Sequence, residues 1–169
     1  YYKALQKAQE AGLIAKTPMQ QLNGTEPLVA VWIGSSRALE KRPYMPDIQS
    51  FLLSEYQNML PRYIIMDDDI KLYRQEFYPL NYFIREAQAV GADYIIIAEM
   101  DGHQPRNSQN WYINMNQSVF NANGGLINVI SISKLVSPVS GNMHAAVYAV
   151  KEGRTQLKQY LPFIKTRYN

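Results

Sequence analysis

The chain has 169 residues, 47% of them hydrophobic and 18% charged, a balance that excludes a disordered protein and supports a globular unit with its own core. The net charge of +3 is scattered, with no basic run longer than Lys41-Arg42, so nucleic acid is not an expected partner. The absence of cysteine excludes disulfides and thiolate metal sites, and no apolar run approaches the ~20 residues of a membrane-spanning helix.

Residues 1–16 read as a short helix with Leu5, Ala8 and Gly12 on one face, and TPMQQLNGTEP (17–27) as a linker. A start at Tyr1 is expected of a trimmed or mature chain. The β-branched run LVAVWIG (28–34), ending at Ser35-Ser36, predicts a strand. Apolar residues at 48, 51, 52, 56, 59 and 60 repeat at helical spacing between Pro46 and Pro61 and predict a helix. RYIIMDDD predicts a second strand that stops at Asp67, Asp68 and Asp69. In YPLNYFIREAQAVG, the residues Leu80, Phe83, Ile84, Ala87 and Val90 share one face of a helix, with Gly91 as its left-handed cap.

The isoleucine run of DYIIIAEM predicts a central strand over 94–100, buried on both faces, with Asp101-Gly102 turning after it. WYINMNQSVF alternates loosely, NANGG is a turn, LINVISISKLV is a strand and SPVSGN a turn. MHAAVYAV (143–150) predicts a last strand, and residues 154–166 a terminal helix. The order is β-α-β-α-β-β-β-β. This is an α/β (α+β) fold, a mixed sheet with two helices packed on it. The domain plan is a helical lead and linker over 1–26, one α/β domain over 27–152 and a helical tail over 153–169.

Three groups of residues carry chemistry. Asp67–Asp69 ends a strand, where open α/β sheets place ligands, and with Asp101, His103, Ser35 and Ser36 it could offer oxygen ligands to Mg²⁺ or Ca²⁺. Consecutive carboxylates diverge, however, and aspartates also make solvated turns and helix caps, so no metal is expected. His103 lies in a polar loop without a nucleophile elbow and His144 in a predicted strand, so no catalytic residue and no cofactor is expected either. GSSR (34–37) lacks the spacing of a phosphate-binding loop. The aromatics are the better candidates. Tyr44, Trp111 and Tyr112 lie in or beside predicted loops and are assigned to partner binding, whereas Phe77 is expected to pack. Thirteen tyrosines against five phenylalanines fit half-buried strands and interfaces.

The segments LVAVWIG, YIIMDDD, AQAVGADYIIIAEM and VISISKLVSPVSGNMHAAVYAV, in this order over about 27–151, resemble the TolB amino-terminal-like domain of bacterial envelope proteins. That group includes the curli-secretion lipoproteins, the lipoprotein activators of penicillin-binding proteins, a Pel-export lipoprotein and a flagellar basal-body protein. The first loop, GSSRALEKRPYM, departs from the pattern. The resemblance implies a non-enzymatic adaptor of a secretion or export complex, in the periplasm and associated with the outer membrane. It implies docking to other protein subunits, a homo-oligomer or ring, and contact with peptidoglycan in some branches. Two rivals remain open. One is a divalent-metal enzyme using Asp67–Asp69, and the other a peptidoglycan or polysaccharide binder using Trp111 and Tyr112.

Overall fold

Strand β1 (Val29–Ser35) is the centre of the molecule: all seven of its residues are buried. A strand buried on both faces needs a neighbour on each side and helices above and below, and β1 has both. It pairs in parallel with β2 (Tyr63–Ile70) and with β3 (Tyr94–His103). Strands β4 (Trp111–Asn121) and β5 (Leu126–Val136) extend the sheet antiparallel, in the order β2-β1-β3-β4-β5. The computed structural model describes residues 25–40, 42–73, 78–137 and 141–165. The expected helix over 1–16, most of the linker, and Phe77 lie outside them.

Among the described residues, three longer helices cover the sheet, and a short one, α1 (Arg37–Glu40), follows β1. Helix α2 (Met45–Met59) buries Met45, Ile48, Leu52, Tyr56 and Met59, a stripe at three- and four-residue spacing. Pro46 opens it, and the Leu60 N–H closes it on the Tyr56 carbonyl. Helix α3 (Leu80–Ala89) buries Phe83 and Ala87 on the opposite face of the sheet, where Phe83 meets Trp32 edge-on at 5.0 Å. Leu80, expected on the same buried side, is 44% exposed. Gly91 ends α3 with φ +73°. Its N–H bonds to Gln88 and that of Ala92 to Ala87, the two-bond closure that only a left-handed residue allows.

The expected mixed α/β sheet is present, with one correction. Residues 143–150 form no strand; they belong to helix α4 (Gly141–Tyr160), so the expected boundary at 152/153 falls inside that helix. Its buried residues Ala145, Ala146, Ala149, Val150, Gly153 and Leu157 make a stripe of mostly small side chains. Small residues let α4 lie close to β4 and β5, beside α2. Two polar contacts fasten this layer. Arg154 donates to Glu55 at 2.9 Å, and the buried Tyr56 hydroxyl donates to Gln117.

Two smaller expectations also change. The turn after Met100 is absent: β3 runs on through Asp101 and Gly102 to His103. The three aspartates do not follow β2 but lie within it, where its pairing with β1 is irregular, and α3 begins too far downstream for them to cap it.

Candidate functional site

Helix α3 covers only part of its face of the sheet. It sits over β1, β2 and the first half of β3, through Leu28, Ala30, Trp32, Ile64 and Ile95. Beyond it, no other described helix covers the second half of β3 and most of β4 and β5 on this face. Side chains alternate along a strand, so Ile97, Glu99 and Asp101 share this open face. The register places Ser118 opposite Ile97, Asn116 opposite Glu99 and Asn114 opposite Asp101. The next strand adds Ser131 and Ser133, whose hydroxyls donate to Asn116 at 2.7 Å and to Asn114 at 2.5 Å. Two parallel polar ladders result: Glu99–Asn116–Ser131 and Asp101–Asn114–Ser133.

A groove of about 660 Å³ lies where the first ladder meets the edge of α3. Its floor is Glu99, Asn116, Ser118 and Ser36. Its walls are Ile97, Leu72, Pro79 and Leu80, with Tyr73 and Tyr78 beside them. The Glu99 carboxyl is raised above its usual range, first because it is withdrawn from water and second because Asp101 stands beside it. The Ser36 hydroxyl is buried and has no hydrogen-bond partner. Sequence reading missed Glu99, Asn116 and Ser118. Each is an ordinary residue of a strand, and only the pairing of β3 with β4 brings them together.

The three residues assigned to partner binding do not form one surface. Tyr44 and Trp111 meet, through a side-chain hydrogen bond, at one end of the sheet. The Arg42 guanidinium lies 5.5 Å from the Trp111 ring centre. Burial raises the Tyr44 hydroxyl, while Arg42 and the bond to Trp111 act in the opposite sense. The indole packs over Gly102 and Leu39: a Cβ on residue 102 would come within 2.3 Å of the ring. Tyr112 follows Trp111 in the same strand and therefore points to the opposite, open face, where His103 is its cross-strand neighbour. All three are half-buried.

The acidic run is engaged internally. Asp69 accepts from Gln49 and from Lys71, both at 2.9 Å, and Asp67 accepts the Asp69 N–H at 2.8 Å. Among the described residues, no group of three His, Asp or Glu side chains could hold a metal ion. Gly34, the glycine of GSSR, serves close packing, because a Cβ there would stand 2.2 Å from the Ile70 carbonyl oxygen. His103 and His144 are both exposed, the latter in the first turns of α4.

No family model matches this chain, and no curated protein matches it. Solved structures do share its fold. A hypothetical protein from Chlamydia trachomatis is similar with a TM-score of 0.56 at 15% identity, over 81% of this chain and 98% of that one. PelC from Paraburkholderia phytofirmans, a dodecamer, is similar with a TM-score of 0.53 at 9% identity, over 79% of this chain and 90% of that one. A second crystal form of the PelC dodecamer scores 0.50 at 10% identity, over 78% and 86%. At these identities the likeness establishes a shared fold.

Proposed function

We propose that this chain is a non-enzymatic docking subunit of a bacterial cell-envelope assembly, built on a TolB amino-terminal-like domain, that associates with copies of itself and with other subunits. The observation that carries this reading is strand β5. Among the described residues it is an edge strand, eleven residues long, with no proline and one charged residue, Lys134. It exposes Leu126 (59%), Val129 (46%) and Leu135 (41%). Isolated edge strands are normally short or guarded by charge, proline or a bulge, because a free edge recruits another chain through its main-chain hydrogen bonds; β5 has an irregularity at Ile127 but pairs regularly from Asn128 to Val136, guarded there by Lys134 alone. The shared fold with PelC, whose two crystal forms are both dodecamers, supports self-association. A periplasmic, outer-membrane-associated location is part of the same proposal. No described helix is long and apolar enough to cross a membrane.

The test is the light-scattering mass of the purified chain, alone and with solubilised envelope extract, for wild type and for Val129→Lys/Leu135→Lys. A defined assembly of several copies, reduced to monomer by the two lysines, is the expected result. A wild-type chain that stays monomeric at every concentration and takes up nothing from the extract overturns the proposal.

A further inference from the structure

We propose that the groove on the open sheet face binds an organic cation, a primary ammonium or guanidinium on an aliphatic stem, with Glu99 as its counter-ion. This site is separate from the β5 edge and does not depend on the docking reading.

Glu99 is half-buried on the groove floor, and among the described residues nothing donates to its carboxylate. Carboxylates withdrawn from water are ordinarily paired or hydrogen-bonded. Among the described residues, the neighbouring cations are committed elsewhere: Lys71 contacts Asp69 at 2.9 Å and Glu40 at 3.7 Å, and Arg37 stacks 5.0 Å from the Tyr73 ring centre. Asp101, two residues on along the same face, adds a second negative charge. The groove therefore repels an anion. A neutral ligand would leave the Glu99 charge uncompensated, and a bare divalent ion would lack a third ligand among the described acids and histidines.

The rest of the lining fits the stem of such a cation. Ile97, Leu72, Pro79 and Leu80 offer an apolar wall for methylene groups. Tyr78 adds an aromatic flank of the kind that cations favour. Ser36, whose buried hydroxyl has no partner, and Ser118 supply acceptors for the remaining N–H groups of the ammonium or guanidinium. The volume, about 660 Å³, accommodates a single extended side chain or a short diamine with room to spare. The same chemistry has two sources: a free alkylamine, or a lysine or arginine side chain presented by another polypeptide.

The experiment titrates the full chain with 1,5-diaminopentane and, separately, with acetyl-Gly-Lys-Gly-amide, following backbone amide shifts of residues 97–99 and 116–118 by NMR. Saturable binding in the millimolar range or tighter is expected for at least one probe. Glu99→Gln, which keeps the shape and removes the charge, should weaken it at least about tenfold, the factor that one lost charge-assisted contact supplies. Leu80→Ala, at an exposed position with no part in the core, should weaken it a few-fold through the lost wall. Binding of the diamine identifies a free amine as a competent ligand, and binding of the peptide alone identifies a presented side chain. No saturable shift with either probe, or binding that Glu99→Gln leaves unchanged while its thermal midpoint confirms a folded protein, overturns the proposal.

Discussion

The Asp93 carboxylate accepts the backbone N–H of Leu28 at 2.9 Å, while the Asp93 N–H donates back to the Leu28 carbonyl at 2.8 Å. This reciprocal pair fastens the start of β3 to the start of β1, 65 residues apart in sequence. It explains the Gly91-Ala92-Asp93-Tyr94 joint in physical terms. Gly91 reverses the chain out of α3, buried Ala92 fits against the sheet, and Asp93 sets the register of the two central parallel strands.

Asp93→Ala removes the acceptor and leaves the N–H of a fully buried residue unpaired. The expected loss is about 1–3 kcal/mol of unfolding free energy. Asp93→Asn keeps an acceptor oxygen and should lose less. Urea denaturation of the three proteins checks the order wild type, Asn, Ala. Equal stability of Ala and wild type would show that the strand start is held by the main-chain pairing alone.

At one of the two polar contacts that fasten the α4 layer, α2, β4 and α4 meet. The Tyr56 hydroxyl donates to Gln117, and a Cβ on Gly153 would stand 2.6 Å from the Gln117 amide nitrogen. Gln117 is held by this bond and is itself buried, so it cannot swing away freely. Gly153→Ala should therefore destabilise the wild type by about 1 kcal/mol, as small overpacking does. In a Gln117→Ala background the clash disappears, and the same change should gain up to about 1 kcal/mol from helix propensity. A double-mutant cycle by thermal or urea unfolding reads the change of sign.

Glu99 makes stability depend on pH. Its folded-state pKa is raised, by burial first and by Asp101 second, so the folded protein holds this proton more tightly than the unfolded chain does. Stability on this account falls as pH rises from the ordinary glutamate value of 4.5 through the raised folded value, and the full penalty is present above it. Glu99→Gln should therefore be more stable than wild type at pH 7, with the gap narrowing as pH falls through the raised folded value and closed below about 4.5. Unfolding midpoints of both proteins across pH 4 to 8 check the sign. A gap that is constant with pH would exclude a titrating origin.

The central sheet was legible in the sequence because each strand carries a pattern with one meaning. β1 is apolar up to its last residue, Ser35, and the odd-numbered residues from Ile113 to Val119 on β4 are buried in strict alternation. The end of helix α4, residues 154–160, falls in the expected terminal helix, but its first part was not legible. Val147, Tyr148 and Val150 favour strands, and Gly153 looks like a break in any helix that crosses it. Half of the true stripe is alanine, whose weak hydrophobicity hides the helical period, and between Val150 and Leu157 it holds a glycine that admits Gln117. The groove could not be read at all. Glu99 and Asn116 are 17 positions apart, and only the β3–β4 register sets them side by side. Trp111 and Tyr112 looked like one aromatic patch because they adjoin in sequence, yet adjacency in a strand sends them to opposite faces.

Gly102 illustrates how a residue that suggested a turn serves packing. It lies inside β3, and a Cβ there would approach the Trp111 ring to 2.3 Å and a Leu39 methyl to 2.7 Å. Both neighbours are constrained: Leu39 is fully buried, and Trp111 is bonded to Tyr44 and faced by Arg42. Gly102→Ala should therefore destabilise the fold by about 1–3 kcal/mol, as overpacking does, and tilt the indole outwards. Trp32, the other tryptophan, is 1% exposed and provides a constant background in fluorescence. The expected readout is a red shift of the Trp111 emission and faster iodide quenching, together with a lowered unfolding midpoint. Unchanged emission with a lowered midpoint would place the strain in Leu39 and leave the Tyr44–Trp111 contact intact.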